Sequence, residues 1–364
     1  MSFWKRAGFL MCYSLPLLVI IGFVLGGWWN YLAVVYTFLL IPLLDQFIGE
    51  DTGNVPEADR QRLEESLYFR LITIAWALFQ PVFLLICCLA LTTSPWGFGA
   101  LFGFVLGTSL VTGGIGITIA HELGHKQSKT ERVLSRVVLM SVNYMHFYTE
   151  HNEGHHVWVA TPEDPATAKR GQHFYQFWWQ SVVHGYHHAW KICAKKMERR
   201  QLPVVHRSNP MIGYIVWQLL FMVAMTAGVY WLTGTGYWQV PVFLIAQSVI
   251  AFSLLELVNY VEHYGIVRRQ LPSGQYERVN PLHSWNTSYL LSNFMLFQLQ
   301  RHADHHYIAS RRYQTLNHYD ASPQLPYGYP TMILMALVPP LWFSTMNPRL
   351  QTWERARLEG GWKA

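Results

Sequence analysis

Six long apolar stretches limit the folds that are open to this chain. About 20 consecutive apolar residues are enough for a helix to cross the hydrocarbon core of a bilayer. Short turns, such as Ser94-Pro95-Trp96, separate successive stretches. The pattern predicts an all-α, polytopic membrane protein, and we expect residues 1–364 to form a single integral-membrane domain. The predicted transmembrane helices cover residues 8–27, 29–48, 68–91, 97–119, 211–232 and 239–260.

The composition supports a membrane protein. Of the 364 residues, 51% are hydrophobic and only 13% are charged, which is about half the usual charged share. Lys5 and Arg6 precede the first apolar stretch, as they would in a signal peptide. That stretch is long, however, no small-residue cleavage site follows it, and a second stretch begins at once. We therefore interpret it as the first transmembrane helix.

The basic residues predict the orientation in the membrane. The short turns carry no Lys or Arg, whereas the N-terminus and residues 49–66, 120–210 and the last third of the chain carry nearly all of them. By the positive-inside rule those segments and both termini are cytoplasmic. Segments 120–210 and 261–364 would then form a cytoplasmic, histidine-rich helical cap. The net charge of +6 suits binding to anionic lipid or to an acidic protein. No segment of the sequence resembles a nucleic-acid-binding module, so no nucleic-acid partner is expected.

Four histidine clusters lie in these segments: HELGH at 121–125, EHNEGHH at 150–156, NYVEHYG at 259–265 and LQRHADHH at 299–306. Residues three or four positions apart share a helix face, so the imidazoles of one cluster, such as His151 and His155, can converge on a metal. Nine imidazoles exceed the capacity of one ion. We therefore predict two ions, with iron favoured because it can activate oxygen. The predicted ligands are His121, His125, His151, His155, His156, His263, His302, His305 and His306.

Carboxylates adjoin the predicted ligands in sequence. We expect them to accept the N–H groups of ligand rings and so fix the tautomers, and the alternative is that one of them binds the metal itself. They are Glu122, Glu150, Glu262 and Asp304. A further group, His184, His187 and His188, has no neighbouring carboxylate, and a solvated or interfacial role is favoured for it over metal binding.

Two other classes of protein were weighed against this interpretation. HELGH also matches the HExxH motif of zinc proteases, with Glu122 as general base. A zinc protease needs only three protein ligands, which leaves the remaining clusters without a role. A transporter would carry charges along its path, whereas these stretches are nearly free of charge, Asp45 lying near an end.

The motifs HELGHK, EHNEGHH, NYVEHYG and LQRHADHH resemble the four histidine motifs of the integral-membrane alkane 1-monooxygenases, within the membrane fatty-acid desaturase and hydroxylase superfamily. The resemblance extends from about Leu10 to Leu350, with Ala303 where that family has Ser. It implies a non-haem di-iron centre held by the nine histidines. It also implies terminal hydroxylation of medium-chain n-alkanes by O₂ in a bacterial inner membrane, with electrons passing from NADH through a rubredoxin reductase to rubredoxin. The alternative is a xylene or fatty-acyl hydroxylase, or a desaturase, with the same metal site.

Three further expectations concern the substrate, the partner and the last third of the chain. An alkane has no polar group that a protein could bind. We therefore expect an apolar tunnel to present its terminal methyl group to the metals. Glycines 99, 103 and 107 fit either close helix packing or room for that substrate. Residues 330–343 are apolar but short, and we expect them to pack against the membrane surface.

Rubredoxins are acidic, so basic residues of the cap are candidates for steering the carrier, and contact with lipid headgroups is an equal alternative. The candidate docking residues are Lys195, Lys196, Arg199, Arg200, Arg268, Arg269, Arg311 and Arg312.

Overall fold

The structure is a computed structural model that describes residues 1–360, so the last four residues of the predicted segment 261–364 lie outside the described residues. Within that range the chain forms helices and isolated β-bridges but no β-strand. The helices in chain order are α1 (Phe3–Leu25), α2 (Gly27–Ile48), α3 (Glu57–Glu64), α4 (Leu67–Thr93), α5 (Phe98–Gly124), α6 (Lys129–Ser141), α7 (147–158), α8 (174–199), α9 (Pro210–Thr233), α10 (Gln239–His263), α11 (Leu290–Met295), α12 (His302–Tyr307), α13 (Tyr329–Ala336) and α14 (Pro339–Gly360).

The all-α fold and the six predicted transmembrane helices are confirmed. Helices α1, α2, α4, α5, α9 and α10 are long and apolar enough to cross a membrane, so this is a multi-pass membrane protein. Capping residues set several of their ends. The Ser2 side chain accepts the N–H of Lys5 at 3.3 Å where α1 begins. The side chain of Asn209 accepts the N–H of Met211 at 3.0 Å where α9 begins.

Helices α5 and α10 extend past the predicted C-terminal ends of their apolar stretches into the histidine motifs. Helix α5 continues from the predicted end at 119 to Gly124, and α10 continues from 260 to His263. Each extension contains polar residues, and these are buried by the surrounding cap rather than by lipid. Parts of two histidine motifs therefore lie on rigid helices that continue out of the bundle.

The glycines of α5 serve two different purposes. A Cβ atom on Gly103 would lie 2.6 Å from the ring of Tyr31, and one on Gly107 would lie 3.1 Å from Val19. These glycines therefore allow α1 and α2 to pack closely, which was one of the two expectations for them. Open space lies further along α5, at Gly114, where an added Cβ would meet no atom within 4 Å.

The segment 330–343 forms α13 and the start of α14, and one side of it packs against the protein. Met332 and Trp342 are fully buried, and the Trp342 ring lies 4.9 Å from that of Tyr260 near the end of α10. Leu334 and Leu341 are exposed. The segment therefore covers the end of α10 and leaves an apolar surface on its other side.

Two buried charged residues hold the region around the fourth histidine motif. The Asp45 carboxylate in α2 accepts the backbone N–H groups of Leu291 at 2.9 Å and Ser292 at 3.3 Å, at the beginning of α11. The Arg301 guanidinium donates to the carbonyl oxygens of Leu316, Asp51 and Gly53 at 2.7, 2.6 and 3.2 Å. Both contacts join residues far apart in sequence, so they fix α11 and α12 against the bundle.

Candidate metal centre

The nine predicted ligand histidines come together as two adjacent groups. Within each group one possible ligand atom from every member lies within 4.8 Å of the others. The five-histidine group contains His121, His125, His151, His156 and His305, and the four-histidine group contains His155, His263, His302 and His306. The rings of His156 and His306, one from each group, have centroids 4.5 Å apart. The four sequence motifs therefore meet at one place.

In both groups the imidazoles approach one another through their Nε2 atoms. In the five-histidine group, Nε2 of His151 lies 3.0 Å from that of His125 and 3.0 Å from that of His156. In the four-histidine group, Nε2 of His302 lies 3.1 Å from that of His263 and 2.9 Å from that of His306. The same nitrogen of each ring thus points to a shared centre.

A π-helical segment within α7 divides one motif between the two groups. Residues His151–His155 form this segment, whose hydrogen bonds join residues five positions apart. Consequently His151 pairs with His156, and His155 turns to the four-histidine group. The rings of His151 and His155 stack with centroids 5.2 Å apart, in agreement with a shared face, but their ligand atoms fall in different groups.

The arrangement of nitrogen atoms fits bound metal ions. Nε2 of His121 is buried and has no hydrogen-bond partner among the described residues. A metal–nitrogen distance of about 2 Å allows ligand atoms on one ion to lie roughly 4 Å apart, close to the spread within each group. Neutral imidazoles that face one another direct lone pairs to the same point, and a cation there satisfies them. The two groups therefore form a candidate non-haem metal centre.

Burial favours the neutral, metal-binding form of these rings. It lowers the pKa of His125, His151 and His156 well below the ordinary histidine value, and the charged forms of neighbouring imidazoles lower it further. The same causes act on the pKa of the members contributed by α12, His302, His305 and His306. A cluster of this kind would be held together by cation binding rather than by protons.

His155 is the exception, because it has a carboxylate partner. Its Nδ1 atom lies 2.9 Å from Oδ2 of Asp164. Burial alone would lower the pKa of His155, but the Asp164 carboxylate outweighs that effect and raises it. Asp164 is fixed in turn by the Thr167 hydroxyl at 2.6 Å and the N–H of Ala166 at 3.0 Å. Since Nδ1 of His155 is engaged by Asp164, its Nε2 is left for the four-histidine group.

Sequence reasoning did not identify Asp164. The available signal was the segment Thr161-Pro162-Glu163-Asp164-Pro165, an acidic turn nine residues after His155. Such a turn can return a carboxylate to the preceding helix, but only the structure shows which of its two acidic residues does so.

An apolar cavity in the bundle ends at the histidines, as expected for a tunnel. Side chains such as Leu110 of α5 and Leu254 of α10 line it, and Gly114 lies in its wall. Its polar end is formed by His121, His151, His302, Asn259 and Glu262. The cavity therefore offers an apolar molecule a route to members of both histidine groups.

Comparison with known proteins decides the family. The model of the Fatty acid desaturase family matches residues 94–335. Alkane 1-monooxygenase 2 of Pseudomonas aeruginosa is 39% identical over 353 residues, which cover 94% of this chain and 92% of that protein. Alkane 1-monooxygenase 2 of Alcanivorax borkumensis is 38% identical over 99% of this chain and 92% of its own length. The chain belongs to the alkane 1-monooxygenase family. The predicted membership of this family is confirmed, and the chain stands among oxidoreductase enzymes.

The comparisons also include a relative named for aromatic substrates. The xylene/toluene monooxygenase hydroxylase component of Pseudomonas putida is 27% identical over 257 residues, which cover 70% of this chain and 65% of that protein. The lower identity and coverage distinguish it from the alkane 1-monooxygenases.

The predicted outer-shell carboxylates of this alkane 1-monooxygenase family member differ in their contacts. Glu262 is the one that lies against a ligand ring, with Oε2 3.1 Å from Nε2 of His302 and Oε1 2.8 Å from the hydroxyl of Tyr329. Its contact is with the metal-facing nitrogen, which favours the alternative that a carboxylate joins the metal. Both roles of Glu262, as the acceptor of a ligand N–H group and as a metal ligand, remain predictions.

The other three carboxylates bind cations or polar groups around the site. Glu122 lies 2.9 Å from Nζ of Lys126, and Glu150 lies 3.3 Å from Nδ1 of His188. Asp304 binds Arg311 and accepts the hydroxyl of Tyr319 at 2.7 Å. These contacts hold the segments that carry the ligands, and a direct hydrogen bond from a ligand N–H to these three residues stays a prediction.

The histidines of α8 lie outside both groups. His184 and His187 line a separate polar cleft, and His188 reaches only as far as Glu150. This placement agrees with the solvated role that was favoured for them over metal binding.

The predicted docking residues fall into two classes. Arg311 is paired with Asp304, Arg312 donates to Glu131 at 3.0 Å, and Nζ of Lys196 lies 2.5 Å from Glu153. These three side chains are paired with carboxylates of the protein itself, which leaves them less available to a partner. Four of the remaining candidates are exposed to solvent: Lys195, Arg199, Arg200 and Arg269. Arg268 is partly buried.

Proposed function

We propose that this protein is an alkane 1-monooxygenase that hydroxylates the terminal carbon of medium-chain n-alkanes with O₂. One observation carries the proposal: an apolar cavity ends at two histidine groups in a chain 39% identical to an alkane 1-monooxygenase over 94% of its length. The reaction converts R–CH₃, O₂, two electrons and two protons into R–CH₂OH and water.

The proposed cofactor is a pair of non-haem iron ions. The five-histidine group would hold one ion and the four-histidine group the other. When bound, the iron pair would supply the redox chemistry that activates O₂. Asp164 would orient His155, and Glu262 stands where it can bind the second ion or hold His302.

The cavity accounts for attack at the end of an alkane chain. Its wall away from the histidines is mostly apolar, with Thr37, Thr118 and Ser292 as polar exceptions, so it suits a hydrocarbon, which has no polar group by which an interior carbon could be fixed. The methyl end reaches the histidines first, and proximity then selects the carbon that reacts. The cap buries seven of the nine histidines and leaves His125 and His156 partly exposed, which limits the access of bulk water to the reacting end.

The proposed setting is a bacterial inner membrane, with the histidine cap and both termini in the cytoplasm. The distribution of Lys and Arg between the long segments and the short turns supports this orientation. Electrons would come from rubredoxin, which an NADH-dependent rubredoxin reductase reduces. In this proposal residues 1–364 work as one membrane domain, with 120–210 and 261–364 supplying the catalytic cap.

Product analysis tests the proposal. The full chain in nanodiscs, loaded with iron and supplied with rubredoxin and its reductase, should convert octane to 1-octanol. p-Xylene and an acyl thioester should be assayed beside it, because the xylene/toluene relative makes an aromatic substrate the second candidate. Faster methyl hydroxylation of p-xylene, or desaturation of the thioester, would replace the alkane proposal.

Metal analysis tests the rival zinc-protease interpretation. About two irons per chain support the proposal, because each histidine group would hold one ion. A single zinc with peptide hydrolysis and no alkane product would favour the protease, in which Glu122 would act as general base.

A further inference from the structure

A group of exposed apolar side chains adjoins the histidine groups on the side away from the cavity. It consists of Val157, Trp158, Val267, Tyr307 and Ile308, whose exposed fractions lie between 37% and 52%. We call it the outer patch. Val157 directly follows His156, and Tyr307 directly follows His306, so each is one peptide unit, about 3.8 Å between Cα atoms, from a histidine of a different group.

Contacts of neighbouring residues bring the three segments that carry the outer patch together. The Arg268 guanidinium donates to the carbonyl oxygen of Val157 at 2.7 Å, and the N–H of Arg268 donates to Ala160 at 2.7 Å, which joins Val267 to the end of α7. The contact of the His156 and His306 rings, with centroids 4.5 Å apart, joins α7 to α12. The segments that carry the patch therefore meet beside His156 and His306.

All five members of the outer patch lie outside the six transmembrane helices. Lys126, past the end of α5, donates to the carbonyl oxygens of Ser310 and Arg311, two and three residues after the patch member Ile308, at 3.3 and 2.9 Å. Arg268 lies past the end of α10 in the same way. Contiguous apolar groups outside a membrane usually mark a site where another molecule binds.

The charge beside the outer patch favours an acidic partner. The Arg269 side chain is 72% exposed, and its nearest carboxylate, Glu277, lies 3.8 Å away. Glu277 also binds Arg357, so its charge is shared. An apolar centre with a basic margin suits a small protein that carries an apolar surface within an acidic rim.

The proposed function, on which this step rests, requires a donor of two electrons for each molecule of O₂ reduced. The five-histidine group contains His125 and His156, the only ligands of the nine that are partly exposed within the described chain. We propose that the outer patch is the docking site of a small acidic one-electron carrier, centred on Trp158. Two successive contacts oxidise two carriers and deliver both electrons beside His156.

Binding measurements test the outer patch independently of turnover. The probe is purified oxidised rubredoxin, titrated against the full chain in nanodiscs by calorimetry, with metal-free and iron-loaded protein measured separately. Trp158→Ala should raise the dissociation constant about tenfold or more, since a central Trp often dominates a small interface. Trp231→Ala, which removes a more exposed Trp (84% against 37% for Trp158) at the far end of α9, should leave the dissociation constant unchanged.

A second variant tests the docking site independently, in case Trp158→Ala misfolds locally. Arg269→Gln changes an exposed side chain and should weaken the salt dependence of rubredoxin binding, because one attractive charge is lost. Unchanged affinity and unchanged salt dependence in both variants would overturn the docking site. A change of oligomeric state in Trp158→Ala without a change in rubredoxin affinity would assign the surface to a second copy of this chain instead.

Kinetic measurements separate failure of the docking site from failure of the proposed function. Reduced rubredoxin is mixed with the iron-loaded protein and its oxidation followed by stopped flow, and a parallel sample is reduced with dithionite before O₂ and octane are added. The yield of 1-octanol with rubredoxin, divided by the yield with dithionite, should fall at least tenfold in Trp158→Ala. No 1-octanol from the unaltered protein with either donor would overturn the proposed function, whereas an unchanged ratio would overturn only the docking site.

Discussion

The Nε2 atoms of His156 and His305 lie 3.1 Å apart, although 149 positions separate the two residues along the chain. One belongs to α7 and the other to α12, and both follow different transmembrane helices in sequence. Two neutral imidazoles in such contact can share one N–H···N hydrogen bond, but a group of five cannot satisfy all its Nε2 atoms in this way, whereas a bound cation can. Metal binding should therefore contribute to the stability of the cap as well as to chemistry.

Removal of one ligand histidine should weaken metal binding and lower activity. In His156→Ala the iron content should fall and the rate of octane hydroxylation should drop below about a hundredth, because even loss of an outer-shell partner can cost 10–100-fold. Metal analysis of the purified protein and product assays measure the two effects. His187→Ala is the matched control, since His187 lies outside both groups, and it should keep its iron and most of its activity. Near-normal iron and activity in His156→Ala would contradict the ligand assignment.

The transmembrane helices and the histidine motifs could be predicted because both are local properties of the sequence. The length of an apolar run is enough to predict a membrane-spanning helix, and the spacing within HELGH is enough to predict a shared helix face. The division of EHNEGHH between the two groups could not be predicted, because it depends on the π-helical segment His151–His155. That segment is stabilised by packing with residues distant in sequence.

The roles of individual charges were also beyond sequence reasoning. Arg311 and Arg312 are as basic as Arg269, but only the structure shows that they face Asp304 and Glu131, whereas Arg269 projects into solvent. The partner of a charged side chain depends on tertiary contacts, so a count of basic residues predicts a charged cap but not which residues remain available for docking.

Asp164→Asn should weaken the metal centre while keeping one of the contacts that hold the surrounding loop. The amide keeps an oxygen for the N–H of Ala166, but it removes the charge beside Nδ1 of His155. We expect the dissociation constant for the metal to rise about 10–100-fold, because a partner of a ligand imidazole fixes its tautomer and orientation. Competition with a chelator measures the effect. Glu163→Gln, one position earlier and exposed, is the control; equal metal retention in both variants would exclude the orienting role of Asp164.

Arg301→Lys should loosen the region before α12 despite the unchanged charge. A guanidinium can donate to three carbonyl oxygens at once, as Arg301 does for Leu316, Asp51 and Gly53, whereas a shorter ammonium group cannot reach them in the same geometry. We expect a loss of roughly 1–3 kcal/mol of stability and faster hydrogen exchange at residues 49–54. Arg62→Lys, on the exposed surface of α3, should change neither quantity. Exchange rates equal to those of the unaltered protein would show that these hydrogen bonds do not hold the loop.

Gly114→Leu should shorten the cavity and shift the preferred alkane length downward. Gly114 precedes His121 by seven residues, or roughly 10 Å along a helix, and a Cβ atom there would meet no atom within 4 Å, so the new side chain can extend into the cavity. The longest accepted alkanes should lose most of their turnover, while the shorter ones keep theirs and the iron content is unchanged. Gas chromatography of the products from a mixture of n-alkanes measures the profile. Gly213→Leu in α9, where an added Cβ also meets no atom within 4 Å, lies away from this cavity and should leave the profile as it was. If the Gly114→Leu profile matched that of the unaltered protein, the alkane would have to follow another route to the histidines.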